Sequence, residues 1–151
     1  MAFWNELKGK ISQMNTSLQT KVSQFKNTDF ANACMAMCAM IAAADGSIDI
    51  SERRKTAALI TSNETLKIFS ASDLKTKFDF YCDKLTQDFD FGKVEAVQTI
   101  AKLKKKEDQA RAVIQVGIII GGADGNFDDD EKRVVKEACH AVGINPAEFD
   151  L

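Results

Sequence analysis

The sequence has one proline, Pro146, one histidine, His140, one tryptophan and one tyrosine. With so little proline, nothing breaks the long Ala-, Lys- and Glu-rich stretches, and these point to helix. With one histidine and no cysteine pair at finger spacing, an ordinary zinc site is excluded. The net charge of −2 lacks the basic excess that a general nucleic-acid binder needs to meet phosphates. No run is apolar over the ~20 residues that span a bilayer. The longest apolar stretches are Phe30–Ala44 and Ala112–Ala123, which read as buried core helices. No secretory signal is visible at the N-terminus. The four cysteines, Cys34, Cys38, Cys82 and Cys139, lie inside apolar helical patterns. A disulfide framework does not fit them, and a reducing cytoplasm does.

Close to half of the residues are hydrophobic, enough for a real core. Apolar residues recur at steps of three and four, and no strand alternation survives at useful length. The fold class is therefore all-α: a compact bundle of about seven helices in a single domain, 1–151. Residues 1–27 form an amphipathic helix striped by Phe3, Trp4, Leu7, Ile11, Met14, Leu18, Val22 and Phe25. That stripe fits docking on the core, or contact of Phe3, Trp4 and the nearby lysines with a membrane or partner helix. Residues 28–70 and 108–151 form two halves, joined by connecting helices over 71–107. In the first half, Asp29 is the expected N-cap of a helix reaching Ala44. Leu74, Phe78, Tyr81, Cys82, Leu85 and Phe89 mark one connecting helix. Val94, Val97, Ile100 and Leu103 mark the next, ending in Lys104–Lys106, where cations suit the helix dipole. In the second half Gly143 is a C′ glycine, and Pro146 stops the chain beyond it.

The two halves share a repeat. Ala44-Asp45-Gly46-Ser47-Ile48-Asp49-Ile50-Ser51-Glu52-Arg53-Arg54 returns as Ala123-Asp124-Gly125-Asn126-Phe127-Asp128-Asp129-Asp130-Glu131-Lys132-Arg133. An internal duplication, two helix–acidic loop–helix halves, follows. Part of the pattern is helix capping. Asp49 and Asp128 are N-caps with Glu52 and Glu131 at capping-box spacing, Ile48 and Phe127 are candidate staples, and Gly46 and Gly125 supply positive φ.

Capping does not require Asp45 or Asp124; cation binding does. With Gly46 at the invariant glycine of an EF-hand loop, Asp45, the Ser47 carbonyl, Asp49 and Glu52 fall on ligand positions. Asp124, Asn126, Asp128 and Glu131 fall likewise in the second copy. The first half of the calcium loop is missing, so each copy offers roughly four or five oxygens where calcium takes six to eight. Calcium is the expected ion, bound weakly or in a site that a partner completes. The second loop, with Asp129 and Asp130 beside it, is the more electronegative. Cys34 and Cys38 stand four apart on one helix, but small core residues beside methionine are the simpler reading. No phosphate loop or nucleophile pair is present, so no enzyme, no catalytic residue and no substrate is expected.

The doubled Ala-Asp-Gly-x-apolar-Asp-x-x-Glu loops and the Met-Cys-Ala-rich helix before the first resemble the TerB family of tellurite resistance proteins, from the Phe3-Trp4 helix to the end. The resemblance implies a helical, cytoplasmic bacterial protein encoded in a cluster for resistance to tellurite and some phages and colicins. It implies calcium held by Asp45, Asp49, Glu52, Asp124, Asp128 and Glu131. It also implies partnership with the integral membrane protein TerC and other proteins of the cluster, peripheral at the inner membrane. Two alternatives stand beside it: a thiol-based tellurite-reactive protein, and a metal-free acidic scaffold.

Overall fold

A helix that is apolar on every side can be stable in water only if other elements cover it all round. In the computed structural model, which describes residues 18–123 and 127–151, helix α1 (Thr28–Ala42) is that element. Phe30, Ala31 and every residue from Ala33 to Ile41 are buried. The helices α3 (Ala71–Gln87), α4 (Phe89–Ala101), α5 (Glu107–Gly121) and α6 (Asp129–Val142) all pack against α1, and α2 (Ile50–Ser62) touches it more lightly. The Ala and Cys side chains of α1 let these neighbours approach, and its methionines fill the irregular gaps. Short 3-10 turns at Glu64–Ile68 and Pro146–Phe149 complete the described elements. No strand occurs among the described residues, and the chain is all-helical as the periodicity predicts.

Local chemistry sets the helix ends. Asn27, and not Asp29, caps α1: its side chain accepts from the Phe30 N–H at 2.8 Å. Asp29 lies within the first turn, where its charge favours the helix dipole. The apolar run expected to carry one helix as far as Phe89 is cut at Asp88. That residue is extended, with φ −155°, and it caps α4 by accepting from the Phe91 N–H. The α3–α4 hairpin closes tightly because position 92 is glycine; a Cβ there would stand 2.7 Å from the Lys84 carbonyl. Tyr81 and Thr99 join the same two helices through a buried 3.0 Å hydroxyl contact. Helix α4 ends at Ala101, so Lys104–Lys106 lie beyond it in the turn to α5. Gly143 takes φ 72° at the end of α6, as expected of a C′ glycine.

Residues 18–22 are helical, and Leu18 and Val22 are buried against the core. This part of the N-terminal stripe docks on the bundle. The remainder, with Phe3, Trp4, Leu7, Ile11 and Met14, lies outside the described residues. No helix among the described residues is long and apolar enough to cross a membrane.

Candidate metal centre

Each acidic loop is the link between a buried helix and an amphipathic one: α1 to α2, and α5 to α6. Helix α1 packs against α5, and the last residues of both helices, Ile41 with Ala42 and Ile120 with Gly121, border one space. The result is one cleft of about 240 Å³. Asp45 and Glu52 from the first loop and its helix and Asp128 and Glu131 from the second line it together. The floor is apolar, formed by Cys38, Ile41, Leu59 and Ile120, and Lys55 and Thr56 complete the wall on α2. The sequence reading had two separate cradles; the structure brings four of their carboxylates to one shared concavity.

The first loop leaves α1 through Gly46, at φ 97°, a conformation that costs a side chain dearly. Asp45 then closes a local turn: its Oδ1 accepts from the Ser47 N–H at 3.1 Å and lies 3.5 Å from the Ser47 hydroxyl. Asp49 Oδ1 accepts from the Glu52 N–H at 2.7 Å and so caps α2. In the second copy the capping box is complete. Asp128 Oδ1 accepts from the Glu131 N–H at 2.9 Å, and Glu131 Oε1 accepts from the Asp128 N–H at 3.2 Å. Glu52 makes no such return bond and turns to the cleft instead. Burial there, then repulsion from Asp49 and Asp45 and a hydrogen bond to the Asp49 carboxyl, hold the Glu52 carboxyl above its usual pKa. Both sequence-read staples are absent. The position one turn in is Arg53 in one copy and Lys132 in the other. Phe127 is buried in the core instead, close against Gly121.

Asp49 and Ser47 thus stand behind the cleft, in the loop, and not on its wall. Asp124 and Asn126 lie outside the described residues. Asp129 and Asp130, read as extra charge for the second loop, pair along their own helix with Lys132 at 3.6 Å and Arg133 at 2.7 Å. Sequence reasoning missed Lys55, although it lies three residues after Glu52 and therefore on the same helix face. It also missed Arg53. That guanidinium reaches from α2 to α3, with Nη1 2.8 Å from Asp83 Oδ1, Nε donating to Asp79 Oδ1 and Nη2 donating to the Asp79 carbonyl.

The donors of the cleft are hard carboxylate oxygens, the chemistry that calcium selects. Each capping bond occupies one oxygen of its aspartate, and a carboxylate has two. Among the described residues no three Asp, Glu, His or Cys side chains stand in a ligating arrangement.

The family described as tellurite resistance protein TerB matches residues 31–151, both loops included. The chain belongs to the TerB family. A curated TerB relative from Alcaligenes sp, named tellurium resistance protein TerB, is 29% identical over 118 residues, which cover 78% of this chain and 97% of that protein. No solved structure matches the chain. The TerB match begins inside α1, so it carries the cleft and the bundle but not the Phe3-Trp4 stretch to which the sequence resemblance extended.

Proposed function

We propose that this TerB-family chain is a non-catalytic calcium-binding module of a tellurite-resistance system. The ion sits between the two acidic loops, and its binding governs docking to a membrane-associated complex. One observation carries the reading: Asp45, Glu52, Asp128 and Glu131, from two distant copies of one loop, line a single cleft. The raised Glu52 pKa supports it, because carboxylates that repel one another are relieved by a shared cation. The family supplies the tellurite-resistance context. The alternative of reactive thiols finds less support. Burial, with Cys82 nearby, pushes the Cys38 thiol up to about 12, and burial raises Cys82 to about 12 and Cys139 to about 11. Burial first, then Cys38, also lifts Cys34 well above its ordinary value. Thiols in that state hold almost no nucleophilic thiolate near neutrality. The metal-free acidic scaffold draws on a specific observation too: the caps of Asp49 and Asp128 are complete without an ion.

Calorimetric titration of calcium into the wild type, Glu52→Gln and Glu131→Gln separates these readings. Glutamine preserves capping at the third helical position, so the variants fold. One ion per chain, weakened in both variants, is expected. Two independent ions would restore the separate cradles, and no heat at millimolar calcium would leave the acidic scaffold.

A further inference from the structure

Among helices α1 to α6, α2 has the least apolar anchorage. Only Ala57 and Ile60 are buried along its 13 residues, whereas α1 buries 11 of 15. Concavities flank it on two sides. The carboxylate cleft lies against Glu52, Lys55, Thr56 and Leu59. A second space, of about 290 Å³, is lined by Ile50, Arg53, Arg54 and Ala57 together with Lys75 and Asp79 of α3. A third, of about 450 Å³, reaches under Leu59 and Ser62 at its C-terminal end. What ties the helix across these spaces is polar: the Arg53 guanidinium on Asp79 and Asp83. Both ends can bend. Gly46 precedes the helix in the left-handed region, and Asn63 follows it in extended backbone, leading into the 3-10 turn. A segment with few buried side chains and partly exposed polar ties opens at lower cost than the whole domain.

We infer that α2 is a strap that swings outward as a unit, latched by Arg53, and that a cation shared across the cleft draws it shut. The strap itself stands on burial and cavities alone; the closing by a cation rests on the calcium reading above. For one ion to touch both walls, Glu52 must approach Asp128 and Glu131, which among the described residues do not form a ligand cluster with it. Helices α5 and α6 both pack on α1, and with its few buried side chains α2 is the wall assigned the movement. Opening uncovers two thiols. Cys38 lies on the floor of the cleft at 1% exposure, and Cys82 lies on α3 within reach of the Arg53 charge. Cys139, on α6, stays covered.

Thiol labelling of the native chain by a maleimide, located by peptide mass spectrometry, tests this. Cys38 and Cys82 are expected to react about tenfold faster than Cys139, as local opening precedes global unfolding. Arg53→Gln is expected to speed Cys38 and Cys82 further while leaving Cys139 at its wild-type rate. Equal rates at the three thiols, or a rise at all three together in the variant, would mean global unfolding alone and would overturn the strap. Calcium chloride is expected to slow Cys38 and Cys82 selectively. If calcium binds by calorimetry and these rates do not change, the closing role is overturned with the ion site intact. If no calcium binds, the calcium reading fails, and the labelling order still decides the strap.

Discussion

Glu52, at the third position of α2, and Glu131, at the third position of α6, hold equivalent places in their loops and face the same cleft. They are not chemically equivalent. Glu131 is committed to a reciprocal capping box, while Glu52 is raised in pKa by desolvation and by the charges of Asp49 and Asp45. On the calcium reading proposed above, the proton and the cation compete most directly at Glu52. As pH falls through the range above the ordinary glutamate value of about 4.3, Glu52 takes up its proton and calcium affinity drops. The sign for the ion-free fold is the reverse: a carboxyl whose folded pKa is raised adds stability as pH falls. Calcium titrations at pH 7 and pH 5 are expected to show weaker binding at the lower pH, with a smaller loss in Glu52→Gln.

Asp79 behaves in the opposite sense. Burial opposes its ionisation, but hydrogen bonds from Lys75 and Arg53 and their charges outweigh it and hold the carboxyl below its usual pKa. Such a group stabilises the fold above the unfolded value of about 3.9 and loses that contribution as pH falls through the lower folded value. Asp79→Asn is expected to cost about 1–2 kcal/mol at pH 7 in urea denaturation. The difference from wild type should shrink as pH drops below the ordinary aspartate range.

Two helical glycines should respond differently to alanine. At Gly92 the new Cβ meets backbone of Lys84 and Leu85 at 2.7 Å, and backbone cannot step aside without parting α3 from α4. At Gly117 it meets the Met37 Cγ at 2.5 Å and the Ile41 Cδ1 at 3.0 Å, both on side chains. Gly92→Ala is expected to destabilise by about 1–3 kcal/mol. Gly117→Ala should cost less, because methionine adapts and alanine favours the helix by about 1 kcal/mol. Thermal denaturation of the two variants ranks them.

The start of α1 offers a direct comparison of two candidate caps. Asn27→Ala removes the bond to the Phe30 N–H and the side-chain contact with Gln109 at 3.2 Å. It is expected to cost about 1 kcal/mol. Asp29→Ala, at an exposed first-turn position, should cost only about 0.3–1 kcal/mol, and that part should weaken with salt. Equal, salt-independent losses would return the cap to Asp29.

What the sequence made legible was whatever local physics decides. The helical period, the aspartate caps of α2 and α6, the positive φ of Gly46 and the turn at Gly143 each depend on neighbours within a few residues. Asp29 reads as the cap because it stands next to the apolar run, and pattern alone does not point two residues back to Asn27. The helix boundary at Asp88 hid inside continuous apolar spacing for the same reason. The merging of two loops into one cleft was not legible, because it depends on α1 lying against α5. The Arg53 clamp was hidden likewise. In the motif it reads as the same basic position as Lys132, yet Arg53 reaches across to another helix while Lys132 lies within ion-pair distance of Asp129 on its own.

Helix α1 is enclosed by segments that follow it in the chain, as far as α6. During synthesis it leaves the ribosome before most of that cover has been made, with Leu18, Val22 and Phe25 the preceding described residues that pack on the core. Native burial of this stretch must wait for the C-terminal half, so residues 28–70 should not fold as a free-standing fragment. Long-range closure of this kind slows folding and lengthens the interval in which chaperones can hold the nascent chain.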